Sequence, residues 1–439
     1  MQQTDLVRVQ HQNVMTVNTE VQRGSQGPLL MEEVLKEYSD VFQGTGKLKG
    51  QYKLEIEENA KPVVHPPRRV PVALKGKLKR ELERLQSLGI IEKVIEPTPW
   101  VSSLVIVQKP NGQIRVCLDP KDLNKVLKKS HYPSPTVEDI LPELTRAKVF
   151  STVDAKNGFW HVELDDDSSC LTRFNSPFGR FCRRRLPFGL CSAPEEFQRR
   201  LNHALDGLTD VLTIHDDILI FGEGSAVEEA LTDHDNNFHS LMRRCREQNI
   251  KLNQDKVNLR RKEVPFMGHV ISEKGLQADP AKVKAVLEMP TPTDVASVRR
   301  FIGFTNYLSK FLPRLSDALE PLRKLTSPDV ECFWTDIHDS AVRQVKLPVT
   351  KAPVLKFFDS TESLTLQCDA SDKGLGAVLL QKGQPIAYAS SALTDAESRY
   401  AQIEKEPLAV VYGLETFHTN TYGREVFVES DHKPHCIEL

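Results

Sequence analysis

Two adjacent carboxylates stand in the middle of an otherwise mostly apolar stretch, LTIHDDILIF, at residues 212–221. The two β-rich runs on either side predict a hairpin whose tip carries Asp216 and Asp217. One interpretation is a solvated surface turn, because Asp-Asp is ordinary turn chemistry. The other is a site for divalent cations, which would neutralise a pair that is costly to bury. Such a site draws carboxylates from more than one strand, so the second interpretation requires a third acid.

A third carboxylate ends the β-prone run KVFSTVDAKNGFW (148–160), where Asp154 precedes turn residues. Between this strand and the hairpin, RLPFGLCSAPEEFQRRLNHALDG (185–207) predicts a helix that begins with a capping box of Ser192 and Glu195. If that helix packs on one face, the strand end and the hairpin tip can be neighbours in one antiparallel sheet. Three carboxylates at one point would hold two Mg²⁺ ions.

Two further elements are predicted upstream of these motifs. LKGKLKRELERLQSLG (74–89) carries leucines on one helical stripe and ends at a glycine. WVSSLVIVQKPNGQIRVCLD (100–119) predicts two strands around the turn at 110–112, with Lys109 and Arg115 beside the tip. The hairpin therefore presents two positive charges at its end.

Composition limits the class of protein. The chain has 439 residues, a net charge of −2, and 39% hydrophobic and 27% charged residues, which is typical of a globular protein of about three domains. No apolar run reaches the roughly 18 residues of a membrane span, and the N-terminus lacks the apolar core of a secretory signal. The eight cysteines are irregularly spaced and favour reduced packing residues. We expect an intracellular protein, cytoplasmic or nuclear, without a membrane partner.

From about residue 60 onward, these motifs resemble, in order, the reverse transcriptase of gypsy-type LTR retrotransposon Pol polyproteins. TVDAKNGFW resembles the palm motif with the first metal ligand, and LPFGLCSAPEEFQ resembles the segment that lines the nucleotide pocket. IHDD corresponds to the family's Tyr-x-Asp-Asp, and VPFMGHVIS (264–272) resembles the primer-grip hairpin. The implied fold is α+β and multidomain: a right-hand polymerase of fingers, palm and thumb, followed by a partial RNase H-like α/β domain.

The resemblance also implies domain boundaries. The expected segments are an N-terminal remnant or linker (1–60), fingers and palm (61–290), a helical thumb and connection (291–330), a tether (331–362) and the RNase H-like domain (363–439).

The resemblance implies roles for individual residues. Asp154, Asp216 and Asp217 would be the catalytic metal ligands of the polymerase. Phe159 would collide with a ribose 2′-hydroxyl and so exclude ribonucleotides, although a core aromatic is the alternative interpretation. The residues expected to contact nucleotide or primer are Lys109, Arg115, Phe159, Phe188, Gly189, Gln198, Met267 and Gly268.

A second set of acids lies near the C-terminus. Asp369 ends a predicted strand, Glu406 lies in a predicted helix over 399–417, and Asp431 ends a later strand. They match the catalytic, metal-binding acids of RNase H. Pro407 is unexpected in that helix. The sequence also stops before the family's last helices and fourth acid, so we expect an incomplete domain with weak or absent cleavage of RNA in RNA–DNA hybrids.

The resulting hypothesis is an RNA-directed DNA polymerase that uses Mg²⁺, two ions per active site, with Mn²⁺ as a substitute. Its partners would be an RNA or DNA template, a DNA primer and dNTPs, and the oligomeric state stays open. Ile214 stands where the family has Tyr, which helps to place the primer terminus in that family, so lowered activity or altered fidelity is expected. Ile214 and Pro407 also motivate an alternative, a decayed or repurposed fragment that binds nucleic acid without catalysis. A plain two-metal nuclease is disfavoured, because it would not need the fingers hairpin.

Overall fold

The computed structural model describes residues 29–108, 112–327, 330–350 and 352–430. Lys109 and Asp431 lie outside the described residues. The helices are α1 (Met31–Glu37), α2 (Ser39–Phe42), α3 (Val72–Ser87), α4 (Lys121–Val126), α5 (Val137–Ile140), α6 (Asp166–Leu171), α7 (Ala193–Leu205), α8 (Val227–Glu247), α9 (Pro280–Glu288), α10 (Val295–Tyr307), α11 (Leu315–Lys324), α12 (Asp336–Val349), α13 (Gln402–Thr416) and α14 (His418–Thr421).

The strands follow the same chain order. They are β1 (Gln51–Tyr52), β2 (Ile91–Val94), β3 (Ser103–Gln108), β4 (Ile114–Asp119), β5 (Ala147–Asp154), β6 (Glu163–Leu164), β7 (Phe174–Ser176), β8 (Gly179–Arg183), β9 (Val211–Ile214), β10 (Asp217–Glu223), β11 (Asn258–Arg261), β12 (Glu263–Phe266), β13 (His269–Ser272), β14 (Gly275–Ala278), β15 (Leu364–Ala370), β16 (Gly374–Gln381), β17 (Gln384–Ala392) and β18 (Val426–Ser430).

The fingers consist of α3, the three-stranded sheet β2-β8-β7 and the β3–β4 hairpin. Leu78, Leu82 and Leu85 of α3 are buried in a core that also contains Trp160 from the segment after β5. Leu88, which we expected on the same stripe, is 41% exposed because the helix ends one residue earlier. The strands on both sides of residues 110–112 pair as the sequence predicts.

The palm is a four-stranded antiparallel sheet in the order β11-β5-β10-β9. Helix α7 lies between β5 and the β9–β10 hairpin in the chain, as predicted, but its capping box is wrong. Ser192 has helical backbone angles (φ −84°, ψ −10°), and its side chain makes no capping hydrogen bond. An N-cap hydroxyl reaches the helix's N–H groups only from an extended backbone.

Residues assigned to an N-terminal remnant or linker contribute to the palm core. Val34 of α1, Val41 and Phe42 of α2, and Tyr38 between the two helices are buried in the same cluster as palm residues. Their spacing places them on one face of two short consecutive helices. This part of the chain is therefore not a linker.

The primer-grip region and the thumb continue from the palm. Strands β12, β13 and β14 form a three-stranded sheet, and α9 to α11 follow. One hydrophobic core joins Phe150 and Leu219 of the palm to Phe301 and Leu319 of the thumb. Helix α12 adds Val345 to this core, so the segment expected to be a tether contains a packed amphipathic helix.

The RNase H-like domain is a four-stranded sheet in the order β17-β16-β15-β18, with β18 parallel to β15. Helix α13 packs on one face of this sheet. It continues through Pro407, which lies inside the helix rather than ending it.

Candidate active site

The β9–β10 hairpin places its two carboxylates beside the end of β5. Asp217 is the register partner of Asp154, so the predicted adjacency of strand end and hairpin tip is confirmed. The turn consists of His215 and Asp216, and His215 takes the positive φ of 53° that this tight connection requires. The N–H of Ala155 donates to the Asp216 carbonyl at 2.8 Å, which fixes the turn to the end of β5.

The clustered negative charge changes the acidity of the pair. Burial, together with the negative charges of Asp154 and Asp217, raises the pKa of Asp216 to about 6. Burial and Asp154 also raise the pKa of Asp217. Positive charges on Lys256 and Arg115 act in the opposite direction on Asp216. The site therefore holds more negative charge than its own cations neutralise.

Lys256 is a site residue that the sequence did not reveal. Its ammonium group lies 2.5 Å from Asp154 Oδ2, although the two residues are 102 positions apart in the chain. Asp154, Asp217, Asp255 and Lys256 border a cavity of about 240 Å³ beside the palm sheet. No local motif marks this lysine, because only the pairing of β11 with β5 brings it near the carboxylates.

Gln198 supports the hairpin and is not available to a nucleotide. Its side chain is fully buried, and its Oε1 accepts a hydrogen bond from the His215 N–H. Its Nε2 donates to Thr213 Oγ1 at 3.0 Å and to Asn202 Oδ1 at 2.7 Å. The expected nucleotide contact is therefore corrected: Gln198 positions the turn that carries Asp216.

The three polymerase carboxylates suit a hard divalent cation by their chemistry. Across the described ranges, no three His, Cys, Asp or Glu side chains are arranged to share one ion as they stand. Lys256 takes one oxygen of Asp154, while Asp216 Oδ1 is buried and has no donor among the described residues. An all-oxygen donor set of excess negative charge fits Mg²⁺ or Mn²⁺. Asp154, Asp216 and Asp217 are the residues that would hold it.

Three residues expected to bind the nucleotide are linked by two consecutive contacts through Phe188. The Arg115 guanidinium stands 4.8 Å from the centre of the Phe188 ring. Phe188 in turn contacts Phe159 at a centroid distance of 4.9 Å, and Phe159 meets Phe197 of α7 at 6.0 Å. Phe159 packs on the palm core and remains only partly buried, so its role in excluding a 2′-hydroxyl stays a prediction.

Gly189 allows the fingers strand β4 to pack closely against the segment that carries Phe188. A Cβ at this position would lie 2.2 Å from the Leu118 carbonyl oxygen, and φ is +113°. The Leu118 N–H donates to the Phe188 carbonyl at 3.1 Å. Only glycine permits both the backbone angle and the close approach of β4.

The primer-grip turn is held by the thumb. Met267 and Gly268 form the two-residue turn between β12 and β13, both with positive φ. The hydroxyl of Tyr307 on α10 donates to the Gly268 carbonyl. Ile214, the residue in place of the family's Tyr, is 2% exposed and belongs to the shared palm–thumb core.

A buried histidine links the Gly158 loop to the segment after α8. The fully buried imidazole of His161 donates through Nδ1 to the Gly158 carbonyl at 3.0 Å and accepts through Nε2 from the Lys251 N–H at 2.9 Å. This pair of bonds requires the neutral ring. Burial lowers the pKa of His161 to about 4.

Asp369 and Glu406 each have a polar partner of their own, and the third predicted acid, Asp431, lies outside the described residues, so their joint metal site stays a prediction. Cys368 packs beneath α13, so Asp369, the next residue of β15, faces the other side of the sheet. There it forms an ion pair with Arg314, which begins α11. Glu406 instead accepts hydrogen bonds from Gln402 at 2.9 Å and from Ser430 at 3.1 Å.

Comparison with known families agrees with this geometry. Residues 107–271 match the family model of reverse transcriptase (RNA-dependent DNA polymerase), and residues 334–428 match the RNase H-like domain found in reverse transcriptase. The chain contains a reverse transcriptase domain followed by an RNase H-like domain. The resemblance inferred from the motifs is confirmed.

Relatives of this reverse transcriptase include retrotransposon proteins. It is 33% identical over 368 residues to the retrovirus-related Pol polyprotein from transposon 297 of Drosophila melanogaster, a match that covers 81% of this chain and 34% of the relative. The Pol polyprotein from transposon 412 is 31% identical over 422 residues, which cover 92% of this chain and 33% of the relative. The chain thus spans about a third of the length of these relatives.

Solved reverse transcriptase structures share the fold. A foamy viral protease-reverse transcriptase in complex with RNA/DNA hybrid has a TM-score of 0.80 at 23% identity, covering 91% of this chain and 54% of that chain. The same viral protein in complex with dsDNA has a TM-score of 0.79, with 91% and 84% covered. The predicted polymerase hand followed by an RNase H-like domain is therefore confirmed. Within the described residues, no helix is both long and apolar enough to cross a bilayer.

Proposed function

We propose that this chain is an RNA-directed DNA polymerase that extends a DNA primer on RNA and DNA templates. The observation that carries the proposal is the register pairing of Asp154 with Asp217 beside the buried Asp216. Structural Asp-Asp turns lie in solvent, where their charges are hydrated. A buried cluster of carboxylates whose negative charge exceeds the nearby positive charge, with Arg115 beside it, is typical of a site that binds cations and phosphates.

The chemistry would be nucleotidyl transfer. The primer 3′ oxygen bonds to the α-phosphorus, the bond from that phosphorus to the α–β bridging oxygen breaks, and pyrophosphate leaves with the electron pair. The hydroxyl proton passes to solvent. Divalent cations, when bound, would lower the pKa of the hydroxyl and stabilise charge on the phosphates.

The chain's own residues would orient the reactants. Asp154, Asp216 and Asp217 would hold the cations, and Gln198 would keep the turn in place. Arg115, exposed on the fingers hairpin, would pair with the triphosphate, and Lys109 is expected to assist. The partly buried ring of Phe159 would lie against the deoxyribose and exclude a 2′-hydroxyl.

The decisive experiment is primer extension on an RNA template with Mg²⁺. We expect extension by the wild type and none by Asp216→Asn, because the amide cannot supply a charged ligand. The matched control is Asp206→Asn, which alters an exposed aspartate at the end of α7 and should keep full activity. Wild-type extension no greater than that of Asp216→Asn would leave the non-catalytic nucleic-acid-binding fragment as the better reading.

A further inference from the structure

A second cavity lies between the fingers helix α3, the β3–β4 hairpin and the loop after β5. It has a volume of about 540 Å³. Lys77, Arg80 and Arg84 line it from α3, Arg115 lines it from β4, and Asn157 lines it from the loop. Asn157 is three positions beyond Asp154, and Arg115 acts electrostatically on Asp216. The cavity therefore adjoins the carboxylate site.

The charges on this cavity are poorly balanced. Glu81 is its one acidic lining residue among those described, and Arg84 binds it through two hydrogen bonds of 2.8 Å. Three cations then have no acidic partner within the described residues. Lys77 reaches only the Gly112 carbonyl at 3.3 Å, Arg80 reaches the Gly76 carbonyl at 3.4 Å, and Arg115 stacks on Phe188.

The wall of the cavity also contains an unused hydrogen-bond donor. Trp160 is 7% exposed, and its indole N–H has no partner among the described residues. The Arg84 guanidinium lies 5.9 Å from the centre of its ring. Cations from two elements and a free donor around one concavity are the features of an anion site.

We propose that Lys77 and Arg80 of α3 form, with Arg115, a pyrophosphate-binding pocket. It would hold the terminal phosphates of the incoming nucleotide and retain the pyrophosphate after transfer. This inference rests on the proposed polymerase function. It assigns a role in that function to α3, which lies outside the sequence motifs. A polyphosphate fits better than a nucleic-acid strand, because the three cations surround one cavity instead of following a line of evenly spaced phosphates.

The test compares the double variant Lys77→Gln/Arg80→Gln with Lys79→Gln. All three side chains are exposed on α3, but Lys79 does not line the cavity, so the control removes a charge without touching the pocket. We expect the pyrophosphate concentration that halves primer extension to rise about tenfold in the double variant. The affinity for primer–template should stay unchanged, and Lys79→Gln should behave as the wild type.

Direct binding separates this inference from the proposed function. Sodium pyrophosphate is titrated calorimetrically into the full chain without nucleic acid or added divalent cation. Binding that weakens only in the double variant supports the pocket, even if no primer is extended. Unchanged pyrophosphate inhibition and binding overturn it. Loss of primer–template affinity with pyrophosphate binding intact also overturns it and assigns Lys77 and Arg80 to a nucleic-acid track.

Discussion

Gly158 lies directly against Asp216: a Cβ built on Gly158 would stand 2.1 Å from Asp216 Oδ1 and 2.9 Å from the Phe197 ring. The Gly158→Ala substitution should therefore push the Asp216 carboxylate and its turn out of place. We expect primer extension to fall at least tenfold. The free energy of unfolding should drop by about 1–3 kcal/mol, the usual range for an added group in a packed site. Steady-state kinetics and urea unfolding measure the two effects.

Gly303→Ala is the control for this substitution. Gly303 lies within α10, and a Cβ there meets nothing within 4 Å. Alanine in an open helical position should stabilise the chain by about 0.5–1 kcal/mol and leave extension unchanged. Equal activity of the two variants would show that Gly158 does not determine where Asp216 lies.

Asp216→Asn should make the folded chain more stable while it abolishes extension. Burial and two neighbouring carboxylates raise the pKa of Asp216 to about 6, so its charge opposes folding at neutral pH. Removal of that charge should add on the order of 1–3 kcal/mol to the free energy of unfolding without divalent cations. Added Mg²⁺ should stabilise the wild type more than the variant, and urea unfolding with and without Mg²⁺ checks both statements. A variant less stable than the wild type under both conditions contradicts this account.

Local sequence was sufficient for the elements whose signals lie within a few residues. The strand end at Asp154, the Asp216–Asp217 hairpin and helix α7 follow from apolar periodicity and turn residues. The ion pair of Lys256 with Asp154 and the burial of Gln198 could not be predicted in this way. Both depend on which strand or helix packs beside the site, and that choice is made by the whole core. The Ser192 capping box failed because residue types do not determine φ and ψ.

As the pH falls from 6.5 to 4, His161 should lower the stability of the wild type, while the raised pKa of Asp216 acts in the opposite direction over the same interval. The pKa of His161 is about 4 in the folded chain against an ordinary 6.5, so in this interval the unfolded chain binds a proton that the folded chain does not. The neutral His161 ring contributes about 3 kcal/mol to the free energy of unfolding. This contribution is fully present above pH 6.5 and is lost as the pH falls to 4. Urea unfolding of wild type and His161→Gln at several pH values isolates it. The expected result is that acidification lowers the stability of the wild type relative to that of the variant, and His418→Gln serves as an exposed control.

Phe159→Val should raise the incorporation of ribonucleotides relative to deoxyribonucleotides. The smaller side chain removes the ring that would collide with a 2′-hydroxyl, and a tenfold or greater change in the ratio is expected. The ratio of kcat/KM values for the two sugars is the appropriate measure, because it is independent of how much protein is folded. Phe333→Val, at a 74% exposed position, should not change it. An unaltered ratio in Phe159→Val would make the ring a core aromatic alone.

The wild type should cleave RNA in an RNA–DNA hybrid weakly, and Arg314→Gln should cleave it several-fold faster. Arg314 neutralises Asp369 through its ion pair, and a guanidinium there competes with a divalent cation. Hydrolysis of labelled hybrid at increasing Mn²⁺ concentrations measures the effect. Arg299→Gln changes an exposed arginine of α10 and should cleave as the wild type does. A decrease in cleavage on Arg314→Gln would show that the arginine supports the site.

The hydrophobic core that Phe150 and Leu219 share with Phe301 and Leu319 has a mechanical consequence. Separation of the thumb from the palm would expose these side chains to water, and each exposed side chain would cost about 1.5–3 kcal/mol. The core around Leu78 contains Trp160 from the segment after β5, so apolar contacts join the fingers to the palm as well. Because palm and thumb share one hydrophobic core, a change in the angle between them would expose apolar side chains of both.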